Sequence, residues 1–130
     1  MIDPELQERL IAEASRSRGN AVAKRSGFSV GAAIEAEDGR IFGGCNVENA
    51  TYGLTVCAER VAIWKALSEG VRRFRAVAVV TGADSPTPPC GACRQILWEF
   101  AGDVPVVSAT SGGQRKHYRM SELLPEPFEF

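Results

Sequence analysis

The chain has 130 residues, 45% of them hydrophobic and 24% charged, with a formal net charge of -1. That balance suits a single soluble domain over residues 1–130, able to bury about two-thirds of its unfolded surface. It excludes a global basic field for phosphate backbones, hence nucleic acid as the expected partner, and no apolar run reaches the roughly 18 residues of a membrane span.

The N-terminal stretch has no apolar signal core, so the expected location is cytoplasmic. Asp3-Pro4 ahead of Leu6, Leu10, Ile11 and Ala14 predicts an N-capped amphipathic helix that ends at Gly19-Asn20. Residues 28–36 read as a strand, Asp38-Gly39 as a hairpin turn, and residues 40–46 as the returning strand. The clearest helical pattern covers residues 55–69, where Val56, Ile63, Ala66 and Leu67 repeat and Gly70 supplies the stop.

Residues 74–81 form a near-continuous apolar run, as expected of a strand covered on both faces. A Pro-rich loop leads from it to Cys90. Residues 91–100 predict a helix with Ile96, Leu97 and Phe100 inward. Residues 104–109 predict a strand, 114–119 a short edge strand, and 121–124 one helical turn. Helices alternating with strands imply a layered α/β domain, and the hairpin makes its sheet mixed. Arg72, Arg73 and Arg75 read as a solvated face.

Four cysteines in a chain of this type argue for metal or catalytic use over a disulfide framework. Cys90-Gly91-Ala92-Cys93 is a C-x-x-C at a helix start, a spacing at which two thiolates grip one metal ion. A helix N-terminus also lowers thiol pKa. A redox pair is the competing reading, but that predicts the motif at the first helix of a βαβ unit. Here the motif lies late and has a partner, Cys57, at another predicted helix start.

Cys57-Ala58-Glu59 with Pro89-Cys90-Gly91-Ala92-Cys93 reproduces the signature of zinc nucleobase deaminases, with Cys in place of His as the first ligand. The alternative is a structural zinc site, which needs a fourth protein ligand. Cys45 and His117 are the candidates. Cys45 is expected to pack as a small hydrophobe and His117 to face water. Three ligands leave a position for water, whose pKa zinc lowers toward 7. Glu59 is then the expected proton carrier. Arg60 is expected to tune the metal by hydrogen bonding a ligand sulfur.

The segments F-S-V-G-A-A at 28–33, G-C-N-V-E-N-A-T-Y-G-L-T-V-C-A-E-R at 44–60, P-C-G-A-C-R-Q at 89–95 and E-L-L-P-E-P-F at 122–128 extend the match. The chain resembles the small, homo-oligomeric cytidine deaminases of pyrimidine salvage. The resemblance implies a three-layer α/β/α fold with a mixed five-stranded sheet, one Zn2+ per subunit and a homotetramer. It also implies roles: Phe28 packs on the pyrimidine, Asn46 and Glu48 hold the ribose hydroxyls, Tyr52 belongs to the sugar pocket, and Ala58 offers backbone groups to the base. Phe128 would reach a neighbouring subunit's site; the alternative is a core anchor for the tail.

Two departures touch the pocket rim. Lys24-Arg25-Ser26 stands where the family usually has Pro-Tyr-Ser, and the chain ends Phe128-Glu129-Phe130 where Gly often follows the Phe. Hydrolysis of cytidine and 2′-deoxycytidine to uridine and 2′-deoxyuridine is the leading expectation. A reshaped rim leaves room for N4-modified cytidines or blasticidin S-like aminonucleosides, and a non-enzymatic zinc module is the third reading. A polynucleotide substrate conflicts with the charge balance and with Glu48, which would repel a 3′-phosphate.

Overall fold

The computed structural model describes residues 2–129. Helix α1 (Pro4–Arg18) begins where expected: the Asp3 side chain accepts from the Leu6 N–H at 3.2 Å, and Pro4 occupies the first helical position. Strands β1 (Val30–Ala36) and β2 (Ile41–Cys45) form the hairpin. Its loop is wider than a two-residue turn. Ala36 N–H donates to the Arg40 carbonyl across three residues, and Gly39 takes φ +94°, the left-handed step that glycine makes without strain.

Helix α2 (Ala58–Ser68), strand β3 (Phe74–Thr81), helix α3 (Gly91–Ala101), strand β4 (Pro105–Thr110), strand β5 (Arg115–Arg119) and the short helix α4 (Met120–Leu123) follow. The sheet order is β2-β1-β3-β4-β5. Only β3 and β4 are parallel; the other pairs are antiparallel. The mixed five-stranded sheet therefore stands as expected.

Pleating sorts the core into two layers. Ala32, Ile34, Val77, Val79 and Val106 join Ala62, Ile63 and Leu97 of α2 and α3 on one face. Ala33, Ala76, Ala78, Val80 and Val107 meet Leu10 and Ala14 of α1 on the other. Strand β3 contributes to both, which is why its sequence is apolar at nearly every position.

Glycines set how closely the helices approach. A Cβ on Gly31 would lie 1.8 Å from the Ala14 carbonyl oxygen under α1. One on Gly44 would lie 2.6 Å from both the Ala58 carbonyl oxygen and the Ala62 nitrogen under α2. Those two positions let helix backbone rest on strand backbone.

Several sequence expectations shift. Strand β1 starts at Val30, not at residue 28, because the Phe28 backbone is bonded to side chains instead of to a strand. Helix α2 starts at Ala58, not at residue 55, because Val56 pairs with Val47 in both directions at 3.0 Å. A 3-10 turn at Tyr52–Leu54 was not anticipated. Phe100, expected inward, is exposed in the last turn of α3, where it lines an open surface cleft with Arg73, Phe74 and Arg75. Phe130 lies outside the described residues.

Candidate metal centre and substrate pocket

Two helix N-termini converge on one point. Cys57 is the N-cap of α2 and Cys90 the N-cap of α3, both with extended backbone and neither using its side chain to cap. Their thiols are thus free to turn outward. Cys93, in the first turn of α3, is fully buried. The loop before Cys90 is held by Ser108 Oγ donating to the Thr87 carbonyl at 2.9 Å and by Arg94 Nε donating to the Pro89 carbonyl at 2.7 Å.

The sulfurs of Cys57, Cys90 and Cys93 all lie within 4.8 Å of one another, and Cys57 Sγ is 3.8 Å from Cys90 Sγ. A tetrahedral zinc with Zn–S bonds of about 2.3 Å has an S···S edge of about 3.8 Å. The donor set therefore fits zinc in distance and in softness. Cys45 is half-buried at the end of β2, and His117 is exposed with its ring Nε2 2.7 Å from Gln7 Oε1. Neither joins the cluster among the described residues.

The chain favours thiolate at Cys57. Cys57 is pulled down to about 5, first by its hydrogen bond with Cys93 and then by Arg60. Cys93 is pushed up by the same pairing and by burial, so a proton shared by the two sits on Cys93. Arg60 Nη2 donates to Cys57 Sγ at 3.3 Å, while its guanidinium lies 5.9 Å from the centre of the Trp64 ring.

Glu59 is 5% exposed, and burial raises its carboxyl to about 7. It lines a cavity of about 240 Å3 together with Cys57, Ala58 and Cys90. Val79 and Thr81 place this cavity at the carboxyl end of β3, the edge where open α/β sheets commonly bind ligands.

Phe28, Asn46 and Glu48 line the same cavity. Three backbone segments run together there. Val22 N–H donates to the Asn46 carbonyl, Glu48 N–H to the Val22 carbonyl, and Val47 exchanges two bonds with Val56. That arrangement fastens the 46–48 segment directly to the residue before Cys57.

The Asn46 amide is engaged within the chain: Oδ1 accepts from the Val30 N–H and Nδ2 donates to the Phe28 carbonyl, both at 2.9 Å. Its second N–H remains for a ligand. Glu48 accepts from the backbone N–H groups of Arg25 and Ser26, each at 3.0 Å, and from the Ser26 hydroxyl. These bonds, that of the Ser26 hydroxyl foremost, hold its carboxyl below the usual range.

Tyr52 and Phe128 are not brought into this cavity. Tyr52 is 71% exposed; Arg25 Nη1 donates to its hydroxyl at 3.2 Å and the guanidinium lies 5.2 Å from its ring centre. Phe128 is held through its backbone by Gln95, whose Nε2 donates to the Phe128 carbonyl at 2.8 Å and whose Oε1 accepts its N–H at 3.0 Å. Ser26, Thr81 and Thr87 line the cavity without having been singled out from the sequence. Ser26 had a usable signal: it is the hydroxyl two residues before the pocket phenylalanine.

A three-thiolate zinc centre beside a buried glutamate, on two helix starts over a mixed sheet, defines a zinc hydrolase of the deaminase class. Residues 4–109 match the family model described as cytidine and deoxycytidylate deaminase zinc-binding region, and the chain belongs to that family. It is 48% identical over 122 residues to a cytidine deaminase of Sporosarcina psychrophila, covering 93% of this chain and 90% of that one. It is 46% identical over 123 residues to one from Halalkalibacterium halodurans, covering 94% and 93%. Among solved structures, the cytidine deaminase of Burkholderia pseudomallei superposes with a TM-score of 0.90 at 44% identity, covering 93% of this chain and 98% of that one.

Proposed function

We propose that the protein hydrolyses cytidine and 2′-deoxycytidine to uridine and 2′-deoxyuridine with release of ammonia, in pyrimidine salvage. The observation that carries this reading is the shared cavity, lined both by Glu59 with Cys57 and Cys90 of the cysteine cluster and by Glu48 and Asn46. One pocket thus offers partners for the base and for the sugar.

Cys57, Cys90 and Cys93 would hold the zinc, which when bound would supply a water made nucleophilic near neutral pH. Glu59 accepts one proton of the attacking water and gives it to the ring nitrogen, then takes the second from the new C4 hydroxyl and gives it to the leaving amine, which departs as ammonia while the carbonyl forms. Phe28 packs on the pyrimidine, and the Ala58 backbone aligns the base. Glu48 and the spare Asn46 N–H take the ribose hydroxyls. Arg60 offsets the charge of three thiolates through its bond to Cys57.

Residues 1–130 act as one catalytic domain in a homotetramer. Tyr52, Leu54, Trp64 and Phe128 are exposed large apolar side chains that such an assembly covers. Within it, Tyr52 completes a sugar pocket and Phe128 reaches a neighbour's site. Four cysteines with no disulfide among the described residues suit a reducing compartment, the cytoplasm.

A second reading rests on Arg25. Its backbone N–H holds Glu48 and its guanidinium packs on Tyr52, a departure next to a pocket residue that suits cytidines substituted on N4 or blasticidin S-like compounds. Ultraviolet assays of the zinc-loaded protein on cytidine, 2′-deoxycytidine and N4-substituted analogues separate the two. Preferred turnover of the unsubstituted nucleosides supports the first reading; turnover confined to substituted ones supports the second.

A further inference from the structure

Ser26 sits where two parts of the pocket meet. Its hydroxyl donates to Glu48 Oε2 and also accepts the Phe28 N–H at 3.0 Å. One oxygen therefore links the carboxylate assigned to the sugar with the backbone of the ring assigned to the base. The link is short in space and long in sequence, since Ser26 and Glu48 are 22 residues apart.

The surrounding chain is built around this contact. Gly27 N–H donates to the Ala23 carbonyl at 2.8 Å, closing one helical turn over residues 23–27. Gly27 then takes φ +68°, with nothing near its missing Cβ. A left-handed step there costs a glycine nothing, and it brings Phe28 N–H back onto Ser26 Oγ. The turn's own N–H groups at Arg25 and Ser26 both point at Glu48 Oε1. Glu48 thus receives three donors from two consecutive residues.

A carboxylate offers about four acceptor positions over its two oxygens. Three are filled by Arg25 and Ser26, and two of those bonds go to Oε1. The remaining capacity lies on Oε2, the oxygen that Ser26 Oγ orients. Asn46 completes the frame from the other side, with Nδ2 on the Phe28 carbonyl.

We propose that Ser26 is a positioning residue for substrate recognition: its hydroxyl fixes Glu48 Oε2 against Phe28 and so sets the spacing between sugar site and base site. The inference rests on the nucleoside reading above. It assigns no proton transfer to Ser26, which acts through Glu48 and Phe28 and leaves the reaction itself to other groups.

The test compares cytidine with 2′,3′-dideoxycytidine, which lacks both ring hydroxyls, on wild type, Ser26→Ala and Ser26→Thr. The ratio of the two kcat/KM values measures how much the enzyme gains from the hydroxyls. In Ser26→Ala that ratio falls roughly tenfold, as expected for losing the order of one charge-assisted bond. The loss appears chiefly in KM for cytidine. Ser26→Thr, which keeps the hydroxyl, retains most of the ratio. A merely structural role would lower both substrates together and leave the ratio unchanged, and that result would overturn the proposal. A wild type inert on cytidine would overturn the nucleoside reading and this inference with it, so the two failures are distinguishable.

Discussion

Arg60 Nη2 lies 3.3 Å from Cys57 Sγ, one helical turn along α2 from the ligand it touches. Three thiolates place much negative charge on one metal, and this is the cation that faces it. Arg60→Ala is expected to weaken zinc affinity or turnover by about 10- to 100-fold, the usual cost of losing such a partner to a metal ligand. Competition with a chelator and steady-state rates measure the two effects. Unchanged values for both would reduce Arg60 to a surface contact with Trp64.

Metal content distinguishes the cysteines. Cys90→Ala should lose stoichiometric zinc, whereas Cys45→Ala and His117→Ala should keep one zinc per chain. Elemental analysis after gel filtration gives the answer. Loss of zinc in the Cys45 or His117 variant would mean a fourth protein ligand, and with it a closed structural site.

Removal of zinc should also destabilise the fold. A ligand held by the native state and not by the unfolded chain raises the unfolding midpoint. Chelation should lower the midpoint of wild type and leave that of Cys90→Ala unmoved. Equal shifts in the two proteins would place the metal elsewhere.

Gly44→Ala probes how α2 is seated. The added Cβ would meet the Ala58 carbonyl oxygen and the Ala62 nitrogen at 2.6 Å, and backbone cannot yield as a side chain does. Overpacking of this kind costs about 1–3 kcal/mol. Because α2 carries Cys57 and Glu59, zinc affinity should fall together with stability. Gly31→Ala, which meets the Ala14 carbonyl under α1, should destabilise with less effect on zinc. Denaturant unfolding and chelator competition on both variants provide the comparison.

What the sequence disclosed depended on the range of the interaction. The cysteine spacing, the Asp3 cap and the Gly70 stop are local signals, and the zinc cluster formed from residues named in advance. Strand β3 was legible because burial on both faces leaves an unbroken apolar run. The start of α2 was not, because Val56 follows helical spacing yet is taken by Val47 across the chain.

The pocket rim was the least legible part. Asn46 holds the backbone of residues 28 and 30, Glu48 holds Ser26, and Arg25 covers Tyr52. Each contact joins residues 16 to 27 positions apart. No periodicity or short motif encodes them. Lys24-Arg25 stood out as a departure, but what Arg25 touches emerged only from the fold.

In the proposed reaction Glu59 carries the proton while the three cysteines carry the metal. Glu59→Gln, assayed for zinc content and for cytidine turnover on the same preparation, tests it most directly. The expected result is one zinc per chain with turnover reduced at least about 10²–10⁴-fold, the scale of a lost general acid–base group. A variant that keeps zinc and also turns over cytidine at near the wild-type rate would remove Glu59 from the proton transfer.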